Sequence, residues 1–157
     1  MFKVILMMLI GGMLTAFTVN NHTSTDPGTF REVPGYKFVG NDLTQTDFNL
    51  WIITNEDAFY KTFKPETDEV PRPQFDKEMV LAAKVQTYSS NYDVRFTKTV
   101  IRKNELNVYF NVKKIKDSAV DDSSVSIALF AKNKQVKKVN FFHDNVFVRS
   151  VPIVTVY

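Results

Sequence analysis

The chain contains no cysteine and only two histidines, His22 and His143. Disulfide frameworks, thiol nucleophiles, thiolate-bound zinc and multi-histidine metal cages are therefore excluded before any motif is read. Five glycines and six prolines among 157 residues are too few for a collagen-like or low-complexity chain. Charge of one sign is also scarce: 20 basic against 17 acidic side chains leave +3, too small a surplus to point to nucleic acid. No phosphate-binding loop, dinucleotide fingerprint or zinc spacing occurs, so no metal or cofactor is expected. With 44% hydrophobic and 24% charged residues the composition is that of a folded protein, and the length suits one domain.

The one long apolar run stands at the start. Lys3 is followed by residues 4–19, VILMMLIGGMLTAFTV, without a charge, which is the basic-then-apolar order of an export signal. The run is shorter than the roughly 20 residues a spanning helix needs, and Gly11 and Gly12 weaken it further. The expectation is a cleaved signal peptide over residues 1–20, with no stable membrane span after its removal. Residues 21–33 are polar and turn-forming, without an apolar period, and read as a flexible tether. Residues 34–157 are then a single domain in the periplasm, at the cell surface or outside the cell.

After residue 20 there are 18 valines against 5 leucines, with many phenylalanines and tyrosines, a bias toward strands. Residues 105–113 give the clearest one: Leu106, Val108, Phe110 and Val112 take one face, and Asn107, Tyr109, Asn111 and Lys113 the other. Residues 92–101 precede it with Val94, Phe96 and Val100 on one face, and the polar Arg102-Lys103-Asn104 turn makes the two a hairpin. Residues 124–131 and 137–157 supply at least three more strands, separated by the turn-prone Lys132-Asn133-Lys134 and His143-Asp144-Asn145. Residues 79–85 are apolar on both faces apart from Lys84, as in a central strand covered from two sides.

One helix is expected. Thr54-Asn55-Glu56-Asp57 has capping-box spacing, Phe59 and Phe63 follow one turn apart, and Pro65 closes the segment. Pro71 and Pro73 then make an extended link. The fold class is accordingly mainly β (α+β), an antiparallel sheet or small β-sandwich with one short helix packed on it.

The order of strand FNLWIIT, helix NEDAFYKTF, proline-rich link and then QFDKEMVLAAKVQTYSSNYDVRF resembles the PrcB-type C-terminal domain of secreted bacterial proteins, over residues 48–154. Phe75, Met79, Val80, Leu81 and Tyr92 stand in the order of that family's motif. Gln74 occupies the usual aspartate position, and Ser90-Asn91 stands where the family has a glycine pair. The resemblance implies an exported accessory domain of a surface protease complex, with no catalytic residues to carry over.

Read for chemistry directly, His143-Asp144 is the only adjacent imidazole and acid, and Ser150 or Ser126 would have to complete a triad. Neighbours on a strand point to opposite faces and no nucleophile elbow is present, so His143 reads as a turn residue. Asp117, Asp121 and Asp122 lack the alternating ligands and glycine of a calcium loop, and Glu66, Asp68 and Glu69 lie in a solvated link. Trp51 with Phe48, and Tyr36 with Phe38, read as core. Lysines cluster at 113, 114 and 116 and again at Lys132, Lys134, Lys137 and Lys138, near strand ends expected to share one edge. The expected function is binding to a protein partner of the cell envelope, a protease among the candidates. The contact surface is expected either at the strand edge near Lys132, Lys134, Lys137 and Lys138 or at the tip formed by Ser89, Ser90, Asn91 and Tyr92. The alternatives are a small cofactor-free hydrolase using His143 and a cell-surface adhesion or structural module.

Overall fold

The computed structural model describes residues 28–40, 47–85, 91–115 and 125–153. The signal over residues 1–20 and the aspartates 117, 121 and 122 lie outside them. The strands are β1 (Phe30–Glu32), β2 (Tyr36–Phe38), β3 (Phe48–Ile53), β4 (Phe63–Pro65), β5 (Glu78–Val85), β6 (Asn91–Arg102), β7 (Glu105–Ile115), β8 (Ser126–Ala131), β9 (Lys138–His143) and β10 (Val146–Pro152), with α1 (Glu56–Thr62) between β3 and β4. The mainly β fold with one short helix is therefore as the valine-rich composition and its alternation require.

The strands form two four-stranded sheets, an inner one ordered β1-β8-β5-β3 and an outer one ordered β10-β9-β7-β6, with β2 and β4 as a small separate pair. Strand β5 is central in the inner sheet and buried nearly end to end because both its faces are covered. Its odd positions, Met79, Leu81 and Ala83, meet Leu106, Val108, Phe110 and Phe141 of the outer sheet. Its even positions, Val80 and Ala82, lie with Ile127 and Leu129 under Phe59, Phe63 and Tyr36. The period-two pattern of β5 and β8 thus feeds two cores at once. Lys84 is the polar exception, buried and engaged with neighbours.

On the helix side, Asn55 is the N-cap, one residue later than the capping-box spacing suggests, and its side chain accepts from the Ala58 amide at 2.9 Å. Phe63 has left the helix with φ −130° and ψ 145°, yet it stays fully buried, 5.6 Å from the Phe59 ring. The Tyr36 hydroxyl donates to the Pro71 carbonyl at 3.0 Å, tying the proline link to this layer, and burial pushes its pKa up to about 12. We expect Asn55→Ala to lower stability by about 1 kcal/mol in urea unfolding, the usual loss for an N-cap amide. An unchanged midpoint would show that the cap is dispensable to so short a helix.

Three details depart from the sequence expectations. First, residues 30–32, assigned to the tether, are β1, paired with β8 from Phe30 opposite Phe130 to Glu32 opposite Ala128. The next residue, Val33, is buried and donates its amide to Ile127 at 2.9 Å. Second, Val100 does not share a face with Val94 and Phe96. A bulge between Phe96 and Lys98 inserts Thr97, which shifts the alternation so that Ile101, opposite Leu106, points inward instead. Third, among the described strands pairing is antiparallel except between β7 and β9, which run parallel with Leu106 opposite Val139 and Val108 opposite Phe141.

Candidate functional site

In the outer sheet Tyr109 stands opposite Lys98, Phe142 opposite Tyr109, and Phe147 opposite Phe142, so a single row crosses β6, β7, β9 and β10. Directly opposed residues share a face. Their chain neighbours Phe110 and Phe141 are buried in the core, so this row faces solvent. The Lys98 ammonium lies 4.3 Å from the Tyr109 ring centroid, and Tyr109 and Phe142 stack at 4.8 Å with 18° between their planes. Phe147 meets Phe142 edge-on at 5.7 Å.

The inner members of the row are flanked by neighbours, and the exposed ring is the terminal one: Phe147 is 56% exposed, beside Val146 at 68%. The two are consecutive at the start of β10. They are held there by a two-residue turn in which Asp144 (φ 48°) and Asn145 (φ 68°) both adopt the left-handed conformation that type I′ hairpins require and Asp and Asn tolerate.

Next to the aromatic row lies a polar one. The Asn140 amide donates to Asn107 at 2.9 Å and to Glu105 at 2.8 Å, and Lys138 pairs with Glu105 at 2.8 Å. Hydrogen bonds from Lys138 and then Asn140 hold the Glu105 carboxyl below the usual glutamate range. On the far side Arg95 donates to Asp93 at 2.8 Å, which raises the guanidinium further. Asp93 and Glu105, the acids that β6 and β7 present on this face, are therefore neutralised within the chain.

Strands β10 and β6 are the two edges of their sheet, and β10 is a blunted one. Its register shifts between Phe147 and Arg149, and Pro152 has no amide to offer.

Of the residues singled out from sequence, the lysine group does not form a strand edge, because β8 and β9 are both interior strands and residues 132–137 connect one sheet to the other. Lys132 is committed to the fold: its ammonium donates to the Thr54 carbonyl at 3.1 Å and to the Phe75 carbonyl. Lys138 is paired with Glu105, while Lys134 and Lys137 are exposed on the connection. At the other surface, Ser89 and Ser90 lie outside the described residues. Asn91 opens β6 opposite Ile115, and Tyr92, opposite Lys114, is half-buried. Phe48 belongs to the core between the sheets and Trp51 to the core under the helix, as do Tyr36 and Phe38.

His143 is the last residue of β9 rather than a turn residue, paired with Phe110 on one side and Val146 on the other. That register turns it inward, between the rings of Phe48 at 5.0 Å and Phe110 at 5.5 Å. Its Nε2 lies 3.2 Å from the Asp144 carboxylate, although no hydrogen bond of good geometry forms. The Asn111 amide, with its nitrogen toward the acceptors, donates to Asp144 Oδ1 at 3.1 Å. Ser150 sits opposite Asn140 on the solvent face, and Ser126 sits opposite Ala83 in the other sheet. The structure thus joins His143 to Asp144 and sets Ser150 on the opposite side of the sheet. Among the described residues no group of three or more His, Asp or Glu side chains is placed to hold a metal ion, and no helix is long and apolar enough to cross a membrane.

The sequence reading passed over the row of Tyr109, Phe142 and Phe147. A weak signal was present: Tyr109 is an aromatic residue on the otherwise polar face of its strand, and Val146-Phe147 follows a turn directly. In comparisons with known proteins, no family model, curated protein or solved structure matches this chain.

Proposed function

We propose that this chain is an exported, non-catalytic accessory domain that acts through protein–protein contacts in the cell envelope. The observation that carries the reading is the exposed ring of Phe147 at one end of an ordered aromatic row. Large apolar side chains held in a rigid sheet and left to solvent are what a partner's socket takes up. The bulge and Pro152 on β10 favour contact through side chains over addition of a strand. The resemblance of residues 48–154 to PrcB-type C-terminal domains supports the same reading and makes a protease of the envelope the first partner to seek.

The test is photo-crosslinking. With p-benzoylphenylalanine in place of Phe147, the full chain incubated with envelope fractions should give a discrete protein adduct on irradiation. The same group in place of solvent-exposed Glu69, in the proline link, should give none. Equal labelling at both positions, or none at either, would remove the binding-domain reading.

A further inference from the structure

The solvent face of the outer sheet carries charge of mainly one sign. By register, Arg95, Lys98, Arg102, Lys113 and Lys138 share the face of Tyr109, against the acids Asp93 and Glu105, with a third acid, Asp144, at the β9–β10 turn held by Asn111 of the same face. Asp93 and Glu105 are already taken, by Arg95 and Lys138 respectively, each at 2.8 Å. What remains for a partner is Lys98, Arg102 and Lys113, spread along β6 and β7 beside the aromatic row. Lys98 is fixed against Tyr109, so one of these charges is pre-placed and loses little freedom on binding. The face therefore combines an apolar knob, Phe147, with a cationic surplus that its own carboxylates only partly offset.

We infer that this face receives an acidic protein surface, in which an apolar socket for Phe147 is bordered by carboxylates that meet Lys98, Arg102 and Lys113. The inference rests on the protein-binding reading above and adds the chemistry of the partner. Planar carboxylates suit the guanidinium fork of Arg102 and the ammonium groups beside it. An anionic bilayer would satisfy the same cations, and the experiment separates the two.

The crosslinking chain with p-benzoylphenylalanine at position 147 is irradiated with envelope fractions at about 50 and about 500 mM NaCl, which shortens electrostatic reach severalfold. It is also prepared with Lys98→Glu, Arg102→Glu and Lys113→Glu together, its fold checked by circular dichroism. In parallel, flotation is measured with vesicles of about 3:7 phosphatidylglycerol to phosphatidylcholine. The expected result is a protein adduct whose yield falls at least ~5-fold with salt and with the triple reversal, joined to a peptide rich in Asp and Glu by mass spectrometry, with no flotation. An adduct indifferent to both salt and reversal overturns the acidic partner and leaves the binding-domain reading standing. Vesicle binding lost on reversal, without a protein adduct, overturns both and assigns the face to a membrane. No adduct and no flotation also overturns both. Should the triple variant misfold, Lys98→Glu alone with the salt series decides the matter on the same terms.

Discussion

Phe110→Ala should cost about 3–5 kcal/mol of folding stability, the range for truncating a buried aromatic side chain. Phe110 is fully buried in the centre of β7, with Phe48 of the facing sheet edge-on to it at 5.3 Å and His143 stacked at 5.5 Å. Truncation removes the ring that fills the space between the sheets, and the strands on either side are too firmly paired to collapse into the gap. A domain of this size has only about 5–15 kcal/mol to lose, so the variant should show a much lower urea midpoint. Phe110→Leu, which keeps part of the volume, should cost less. A loss near zero for the alanine variant would mean that Phe110 does not occupy the space between the sheets.

Phe59→Ala is the second large effect, also about 3–5 kcal/mol, and it tests the other core. Phe59 is the fully buried residue of α1 and packs against Tyr36 at 5.0 Å, Phe63 at 5.6 Å and Phe75 at 5.6 Å. A helix spanning Glu56–Thr62 is far too short to persist by propensity alone, so this ring is what keeps it in place. The expected outcome is a lowered unfolding midpoint together with lost amide protection in α1 and β4 under native conditions, while β6 and β7 keep theirs. Uniform loss of protection across both sheets would show that the two cores are a single cooperative unit.

How much of this was readable in the chain depended on how local the cause was. Leu106, Val108, Phe110 and Val112 declared their face because alternation is a local property of β7, and β5 declared itself central because both its faces are apolar. Val100 was misplaced because one extra residue, Thr97, reverses every later side chain, and nothing in the residues of β6 marks the position of a bulge. The FRE segment of β1 looked like tether because its partner, β8, lies about a hundred residues further along the chain. The candidate face was hidden for the same reason. Tyr109, Phe142 and Phe147 are neighbours only because β9 lies beside β7, and no periodicity in either strand reports that pairing. His143 was placed in a turn because His-Asp-Asn is uniformly polar. The structure keeps the imidazole in the strand and gives the turn to Asp144 and Asn145, whose positive φ angles they adopt more readily.

The parallel pairing of β7 with β9 also joins two locally closed hairpins into one sheet. The chain leaves β7 in the outer sheet, contributes β8 to the inner sheet between β1 and β5, and only then returns to lie beside β7. The β6–β7 hairpin closes through a short local turn and needs nothing else, so it is available early. The β9–β10 hairpin likewise closes through its own two-residue turn, but its pairing with β7 joins segments separated by the whole of β8 and closes a long loop. The full aromatic row therefore exists only where the two hairpins have joined, because Tyr109 belongs to one and Phe142 and Phe147 to the other. A partner that reads the whole row reads a joined sheet, which neither hairpin presents by itself.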